Sequence, residues 1–467
     1  MSIKNMQTTL NCRLAFACLL FFPTVSLFGA TVSIPPSNFY DFYAGSSTNP
    51  YLISSLANLR WLSETREMWS GGFYFLQTAD IDASETIGWN HGVGFFPIGI
   101  RRFYRDTNES MDTAFFGNFN GNNYVISNLF IDKVFDTNVW ASAGLFGFIR
   151  NSSISNVKLR DVNIKGNSLV GALVAQAFDS TVSNCFASGE LEGNGLDVGG
   201  LIGMASGVTI KKSSSSVFVT NNADGWTGGL VGQLSDSSIS NSFFYGMISA
   251  TADMLSMSGG LVGGVAESDI QFSYVAGLSN FVNAYGFVGH MIRSTIINAF
   301  WDVESTGVAT AMPGSASNIS GLSTIQLQSR ETFTNDEWDF ETIWDINPDV
   351  NGGFPYLRGS LLTVSDFDAV NSVNPVANLS VFVFPNPVRN SDISFKVNVD
   401  IPSIEIGIYN VRGQLVKRSR GFSAKNGMST FVWNRQTENG QKAPSGIYLY
   451  RVTIGNDIQT GRFLVMK

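Results

Sequence analysis

The amino-acid sequence predicts an all-β protein in which a parallel β-helix, a solenoid of repeats of about 28 residues, precedes a small immunoglobulin-like antiparallel β-sandwich. Three observations predict this fold class. Gly-rich tags recur through the middle of the chain at spacings of 26 to 31 residues. No sustained helical period of apolar residues runs through these repeats. Residues 381–467 instead alternate apolar and polar side chains between closely spaced turns.

The first 30 residues are predicted to be a secretory signal peptide. Lys4 and Arg13 precede a mostly apolar stretch at residues 14–27, and cleavage is expected near Ala30. That stretch is shorter than the roughly 20 residues that span a bilayer. Since no second apolar run follows, the mature chain is expected to lack a transmembrane segment.

Removal of the signal peptide takes Cys12 and Cys18 with it and leaves Cys185 as the last cysteine. The mature chain therefore cannot form an internal disulfide. Its 44% hydrophobic content must stabilise it through stacked apolar coils. Cys185 follows Val182 closely in its repeat, where a small buried hydrophobic role is favoured over a reactive thiol.

Residues 45–141 are predicted to form the N-terminal entry of the solenoid, with a cap and the first coils. A helix is expected from Ser55 to Trp69, and aromatic-rich strands are expected at residues 73–76, 95–99 and 115–126. The last of these contains an Asn-Gly turn signal. An atypical end unit of this kind protects the open edge of a solenoid.

Residues 142–300 contain six repeats with a fixed internal step. In each repeat a bulky apolar anchor lies in a Gly-rich tag, and a β-branched residue follows nine positions later. The anchors are Leu145, Leu173, Leu201, Leu230, Leu261 and Phe287, and their partners are Ile154, Val182, Ile210, Ile239, Ile270 and Ile296. Successive anchors are 28, 28, 29, 31 and 26 residues apart, so a rigid unit repeats with slack in its loops.

The repeat unit is predicted to be one coil of a parallel β-helix. A coil of about 28 residues holds two or three short strands, and coils stack about 4.8 Å apart. Equivalent residues then lie above one another, so the anchors form one buried apolar ladder and their partners form a second. The tag glycines are expected to adopt positive φ at corners and to allow close backbone approach; flexible loops are the alternative.

At these residues the chain resembles the GLUG-motif family, whose repeats occur in bacterial surface and adhesin-like proteins. Close matches to the motif are Gly144-Leu145-Phe146-Gly147, Gly200-Leu201-Ile202-Gly203, Gly229-Leu230-Val231-Gly232 and Gly260-Leu261-Val262-Gly263. The tags at Leu173 and Phe287 are degenerate. The resemblance covers roughly residues 48–358. It implies architecture and not activity, because one fold carries many functions.

Residues 301–360 are predicted to be the C-terminal exit and cap, residues 361–380 a linker, and residues 381–467 the sandwich. Considered without any family resemblance, residues 381–467 are predicted to form an ordinary immunoglobulin-like module. The order and the amino-acid sequences of its motifs resemble those of the C-terminal sorting domain of the type IX secretion system of Bacteroidota. The motif residues are Pro385, Asn386, Pro387, Gly446, Ile447, Tyr448, Gly461, Arg462 and Lys467.

The sorting-domain resemblance implies an export route. The type IX machinery would be a partner, and the protein would reach the outer surface of a Gram-negative bacterium, either released or attached to lipopolysaccharide. The terminal strand from Arg462 to Lys467 is expected to matter most for export, because an exposed strand offers a pairing edge. An edge strand that only completes the sandwich is the plainer interpretation.

Charge divides unevenly along the chain. Residues 31–374 carry 15 Lys and Arg against 32 Asp and Glu, whereas residues 375–467 carry 12 against 5. An acidic body repels nucleic acid, so that class of partner is not expected. The acidic surface keeps a long solenoid soluble.

Residues with obvious chemistry are few. His91 and His290 belong to no metal-ligand pattern, and no nucleophile elbow or phosphate-binding loop is found. We therefore expect no cofactor and no catalytic residue. Two carboxylate pairs, Glu190 with Glu192 and residues 80 with 82, each lie two positions apart and point the same way on a strand. The favoured roles of these pairs are solubility, turn formation or Ca²⁺ binding. Paired acids are also used by β-helical lyases and glycosidases.

Aromatic residues near strand starts offer a binding alternative. The set comprises Trp226, Phe243, Phe244, Tyr245, Phe300 and Trp301. If these side chains are exposed, they would stack on sugars or on a protein partner. Packing in the core is their favoured role. The sequence thus predicts a secreted or surface β-helical protein with an adhesive or structural role and an unknown glycan or protein ligand. The alternative is a carbohydrate-active enzyme, a polysaccharide lyase or glycoside hydrolase.

Overall fold

The computed structural model confirms the predicted fold class, since a parallel β-helix is followed by small antiparallel sheets. It describes residues 32–104, 109–134, 139–250, 257–277, 284–313, 318–348, 350–359, 381–384, 392–397, 404–410, 414–420, 423–425, 428–454 and 457–465. The chain divides into two compact units between Ser360 and Leu361. The predicted signal peptide and linker lie outside the described residues.

Three parallel sheets form the walls of the β-helix in the first unit. The first sheet has 17 strands: Tyr51–Ile53, Tyr74–Gln77, Ile81–Asp82, Asn118–Asn120, Val125–Ser127, Phe130–Asp132, Ser153–Ser155, Lys158–Gly166, Thr181–Ser183, Phe186–Gly193, Thr209–Lys211, Ser214–Asn221, Ser238–Ser240, Phe243–Ala250, Asp269–Gly277, Thr295–Asp302 and Ile319–Leu322. The second sheet has six: Phe146–Arg150, Val174–Phe178, Ile202–Ser206, Val231–Ser235, Val262–Ala266 and Val288–Ile292. The third sheet has four: Leu169–Gly171, Asp197–Gly199, Trp226–Gly228 and Met257–Gly259.

One coil shows how the chain passes from sheet to sheet. Val174–Phe178 lies in the second sheet, Thr181–Ser183 and Phe186–Gly193 lie in the first, and Asp197–Gly199 lies in the third. Each strand pairs in parallel with its equivalent in the next coil. The backbone hydrogen bonds therefore run between coils, and each coil needs its neighbours to pair its polar groups.

Both apolar ladders lie in the interior of the solenoid. The β-branched column is in direct register from coil to coil and comprises Ile154, Val182, Ile210, Ile239, Ile270 and Ile296. The anchor column comprises Leu145, Leu173, Leu201, Leu230, Leu261 and Phe287, all fully buried. Burial of one such side chain contributes about 1.5–3 kcal/mol. The two ladders therefore supply much of the energy that holds the coils together.

The tag glycines let the second and third sheets pack closely. A Cβ at Gly232 would lie 2.8 Å from the backbone N of Val198, and one at Gly263 would lie 2.6 Å from the backbone N of Thr227. In both cases the obstructing residue lies one coil before the third-sheet strand that leads directly into the tag. The predicted close approach of backbone at these glycines is therefore confirmed.

Residues other than the tag glycines adopt the left-handed conformation at the corners, so the prediction of positive φ in the tags is wrong. After the second-sheet strands, the left-handed residues are Asn151, Asp179, Gly207, Asp236, Glu267 and Arg293. After the short first-sheet strands they are Asn156, Asn184, Lys212, Asn241, Phe272 and Asn298. Asparagine tolerates this conformation because its short side chain bonds locally. Asn184 Nδ2 donates to Asn156 Oδ1 at 2.6 Å, which links successive corners.

Cys185 occupies a column that serine fills in the following coils, namely Ser213, Ser242 and Ser273. Ser213 Oγ donates to the Lys211 carbonyl at 3.0 Å and accepts from the Cys185 backbone N–H at 3.2 Å. Cys185 Sγ donates in the same way to the Ser183 carbonyl at 3.3 Å. Burial raises the pKa of the Cys185 thiol to about 12, which leaves it protonated and unreactive.

We expect Cys185→Ser to leave the free energy of unfolding almost unchanged, because the new hydroxyl repeats the bond that Ser213 makes. Ser213→Ala should destabilise the chain by about 1–3 kcal/mol, because it leaves the buried Cys185 N–H without its acceptor. Urea unfolding followed by circular dichroism measures both. Equal urea midpoints for the two variants would contradict the stabilising hydrogen bonds assigned to this column.

The N-terminal end is closed by the α-helix Leu56–Glu64, which Ser55 caps by accepting from the Asn58 N–H at 3.3 Å. The helix predicted to reach Trp69 is shorter than expected, because Thr65 leaves the helical conformation with φ −98° and ψ 82°. A 3₁₀ turn, Arg66–Met68, follows. It places Trp69 in the core, where Nε1 donates to the Leu62 carbonyl at 2.7 Å.

One of the strands expected in the entry segment does not form. Residues 95–99 form an isolated bridge at Ile98 and not a strand, since Pro97 has no N–H to donate to a ladder. The strands Asn118–Asn120 and Val125–Ser127 lie on either side of a turn at the predicted Asn-Gly position, and each pairs in parallel with a neighbouring coil. The positive φ values in that turn belong to Asn122 and Asn123. The other regular segments here are the 3₁₀ segment Ser84–Gly92 and the antiparallel strands Ile100–Tyr104, Glu109–Thr113 and Val139–Ala141.

The exit segment extends the last coil and then returns along the side of the solenoid. Its regular elements are the helices Val303–Thr306, Thr324–Leu327 and Arg330–Thr334, the 3₁₀ turn Asn351–Gly353, and the strand pair Trp344–Asp345 with Tyr356–Leu357. Tyr274 Oη donates to the Pro355 carbonyl at 2.6 Å. Lys158 Nζ, several coils nearer the N-terminus, donates to the Gly359 carbonyl at 3.3 Å. The segment thus covers an aromatic column on the outer face of the first sheet.

The second unit contains two antiparallel sheets with a common core. One has the strands Val381–Phe384, Ile393–Val397, Met428–Trp433 and Ser423–Lys425, and the other has Leu415–Ser419, Ile404–Asn410, Gly446–Ile454 and Asp457–Val465. Phe395 of the one sheet and Phe463 of the other approach to 5.4 Å between ring centroids. Asp457–Val465 lies at the edge of its sheet and pairs with Gly446–Ile454 along its whole length.

Candidate functional site

A cleft on the outer face of the solenoid lies where the second and third sheets meet. Its volume is about 310 Å³. It is lined by Leu196, Asp197, Asp224, Gly225, Trp226 and Gln233. We call this set the Trp226 cleft. It combines an indole, a buried carboxyl group and an amide, the kind of mixed lining that small-ligand sites use.

The repeat itself positions the indole in the cleft. Asp197 and Trp226 hold equivalent positions in successive third-sheet strands. The indole occupies the space that a side chain at Gly264 would fill, because a Cβ there would lie 2.2 Å from Trp226 Cε3. His290 follows Gly264 in the second-sheet register, and its ring centroid lies 5.3 Å from that of Trp226. Trp226 is therefore held on one side and stays partly exposed.

The carboxyl group of Asp197 is almost completely withdrawn from water, with the residue only 5% exposed. Burial raises the pKa of Asp197 to about 7, and a backbone hydrogen bond from Trp226 opposes the rise. A neutral carboxyl group both donates and accepts hydrogen bonds, whereas a carboxylate only accepts. Near neutral pH the cleft can therefore offer both functions at one position.

Glu190 and Glu192 point outward on the same side of Phe186–Gly193, as predicted for residues two apart. Lys165, which the sequence interpretation overlooked, lies in register with Glu192 on the preceding coil, with Nζ 2.9 Å from Oε2. The hydrogen bond to Glu192 raises the pKa of Lys165. An acid pair and a base therefore share an outer face. Lys211 and Lys212 are exposed and lie elsewhere, Lys211 at the end of the strand Thr209–Lys211 and Lys212 at the corner that follows it.

The second carboxylate pair has structural partners. Asp80 Oδ1 accepts the Val125 N–H at 2.8 Å. Asp82 accepts from Asn128 Nδ2 at 2.9 Å and from the Ser84 N–H at 3.0 Å, and the bond from Asn128 is the main cause of its lowered pKa. Both carboxylates therefore fasten loops of neighbouring coils.

A second, acidic groove of about 420 Å³ follows the corner of the coils near Asp236, Glu267 and Asp269. Arg293 forms an ion pair with Glu267 there. Within the described ranges, no group of three or more His, Cys, Asp or Glu side chains has metal-binding geometry. His91 is exposed on the entry segment and lies far along the chain from His290.

The remaining predicted residues divide between core, column and edge positions. Phe243, Phe244, Phe300 and Trp301 are buried, so packing is their role. Of the sorting residues, Gly446 and Tyr448 lie in an antiparallel strand with Ile447 between them, and Gly461 and Arg462 lie opposite Tyr450 and Leu449. Pro385, Asn386, Pro387 and Lys467 lie outside the described residues.

In the part of the chain that is described, none of the helices is both long and apolar enough to cross a membrane.

Two family models match parts of the chain. The GLUG motif matches residues 166–192, which confirms that part of the resemblance over one coil. The FlgD Ig-like domain matches residues 388–457, in agreement with the predicted immunoglobulin-like module. The type IX sorting resemblance stays a prediction.

The chain spans only a small part of the length of the relatives that it matches. Halomucin of Haloquadratum walsbyi is 34% identical over 358 residues, which is 71% of this chain and 4% of the relative. An immunoglobulin A1 protease of Streptococcus sanguinis is 33% identical over 124 residues, 26% of this chain and 6% of the relative. A solved IgA1 protease structure aligns with 58% of this chain and 21% of its own, at 22% identity and a TM-score of 0.43.

Proposed function

We propose that the protein is a secreted or cell-surface β-helical protein that binds its ligand without converting it, in an adhesive or structural role. The observation that carries this proposal is the Trp226 cleft, a preformed site on the outer wall of a solenoid. The relatives add support, since this chain matches only 4% and 6% of their lengths, as expected of a module carried by longer proteins.

Export by the type IX secretion system is the second part of the proposal. It rests on the sorting-domain resemblance and on the position of Asp457–Val465 at the edge of its sheet, which suits recognition by strand pairing. The type IX machinery would be the export partner, and the outer surface of a Gram-negative cell would be the destination.

Deletion of residues 461–467 should trap the protein in the periplasm, because it shortens the edge strand and removes Phe463 and Val465 from the sandwich core. Immunoblots of medium, surface and periplasmic fractions measure the distribution. Arg462→Ala, a single change in the same strand that keeps Phe463 and Val465, separates loss of a sorting residue from misfolding of the sandwich. Unchanged surface appearance of the truncated chain would remove the basis for this route.

The competing function is a carbohydrate-active enzyme, and Lys165 beside Glu192 and Glu190 is the observation that favours it. We expect the full chain to release neither reducing ends nor unsaturated products from acidic and neutral polysaccharides. Reducing-sugar assays and the ultraviolet absorbance of unsaturated uronates measure this. Product release that Glu190→Gln or Lys165→Met abolishes, while Asp80→Asn does not, would replace the binding proposal with the enzyme.

A further inference from the structure

We infer that the Trp226 cleft binds a neutral pyranose ring, the terminal or internal unit of an uncharged glycan, with the ring against the indole and its hydroxyl groups on Asp197 and Gln233. This inference rests on the proposed binding role and names the ligand class of the same site. It follows from the size of the cleft, the chemistry of its walls and the charge of its lining.

The size suits one sugar residue. A volume of about 310 Å³ lies at the lower end of the range for small-ligand sites, which is about 300–1,000 Å³. The apolar wall consists of the partly exposed Trp226 and of Leu196, which is 46% exposed. An indole gives a flat amphipathic surface, and a pyranose presents a flat face of C–H groups to such a surface.

The polar groups are placed for hydroxyl recognition. Asp197 and Gln233 line the same cleft, and each carries a planar group with two heteroatoms. The backbone N–H of Trp226 donates to the Leu196 carbonyl at 2.7 Å. This bond fixes the strand that carries the indole to the strand that carries Asp197. Such preorganisation lowers the entropy cost of binding.

The charge of the lining selects between ligand classes. Asp197 and Asp224 line the cleft, and the described lining contains no lysine or arginine. An anionic ligand such as a uronate or a phosphate would meet carboxylates without a compensating cation. A cationic ligand would meet one aromatic wall where cation sites use several, and Asp224 at the rim is exposed to water, which weakens its attraction for a cation.

The test is saturation-transfer NMR on the full chain with the methyl glycosides of glucose, galactose, mannose and N-acetylglucosamine. At least one should receive saturation, most strongly at its ring C–H protons. Trp226→Ala should weaken binding about tenfold or more, which corresponds to the loss of about 1.4 kcal/mol. Gln233→Ala should also weaken it, and this variant changes a side chain that is only partly buried.

The control variant is Phe218→Ala, since Phe218 is a partly exposed aromatic on the outer face of the first sheet, away from the cleft. It should bind as the unaltered chain does. Methyl glucuronide and lysine methyl ester serve as the anionic and cationic probes, and neither should compete. Absence of transfer to all four neutral glycosides, equal binding by Trp226→Ala and Phe218→Ala, or preference for either charged probe would overturn the inference. Normal export without polysaccharide turnover, together with such a result, would leave the proposed function standing.

Discussion

Gly263→Ala should destabilise the solenoid by about 3 kcal/mol, a large effect for the addition of a single methyl group. The new Cβ would lie 2.6 Å from both the Gly232 carbonyl oxygen and the Thr227 backbone N. Both obstructing atoms belong to the backbones of adjacent coils, so no side-chain rotation relieves the overlap. The second and third sheets must separate locally, which also disturbs Trp226 beside Thr227.

The matched control is Gly88→Ala, because a Cβ at Gly88 meets nothing within 4 Å and its φ is ordinary. It should leave the urea midpoint unchanged or raise it slightly, since alanine restricts the unfolded chain. Circular dichroism during urea unfolding compares the two variants. Similar midpoints for Gly263→Ala and Gly88→Ala would show that the tags are not needed for close sheet packing.

Asp197→Asn should stabilise the protein at pH 8 and have little effect at pH 4. The folded pKa of Asp197 is raised to about 7 from the ordinary value of 3.8. Below about pH 4 the group is protonated in both states and carries no penalty. As the pH rises from 4 through 7, the unfolded chain ionises first, and the unfolding free energy of the unaltered chain falls.

At pH 8 the free energy of unfolding should be higher for Asp197→Asn than for the unaltered chain by up to about 4 kcal/mol. Each unit of difference between the folded and unfolded pKa contributes about 1.36 kcal/mol. Urea midpoints measured from pH 4 to pH 8 follow it. Asp224→Asn is the control, since it removes a charge at the exposed rim of the same cleft and should keep the profile of the unaltered chain. A parallel pH profile for Asp197→Asn and the unaltered chain would mean that the carboxyl group is hydrated in the folded state.

The register of the solenoid was predictable from sequence because it depends on local, repeated choices. An apolar anchor and a β-branched partner nine residues apart fix which side chains face inward, and stacking places each above its equivalent in the next coil. Ile210 pairs with Val182 and Ile239 for this reason. The close approach at the tag glycines follows from the same repetition.

The candidate site was not predictable in the same way, because it depends on offsets between coils. Trp226 appeared in sequence as one of several aromatics, and its exposure depends on Gly264, which lies 38 residues later in the chain and leaves room for the ring. Asp197 was not singled out from the sequence. A polar residue at a position that is Leu169 in one coil and Met257 in another was the available clue.

The base beside the acid pair was missed because Lys165 lies 27 residues before Glu192 and contacts it through stacking alone. The return of the exit segment along the first sheet was also not foreseen. It depends on long-range contacts such as Trp344 Nε1 with Asn241 Oδ1 at 3.1 Å, which no periodicity encodes. Asparagine at the corners was visible in sequence but was assigned less weight than glycine.

This solenoid is proposed to work outside the cell. The most direct measurement is the fraction of the full, unaltered chain beyond the outer membrane, taken as the amount in the medium plus the amount that added protease removes from intact cells. The proposal predicts that most of the protein is found there, with the residue 31–360 part accessible to protease or released. Protection of most of the protein until the outer membrane is opened would contradict it.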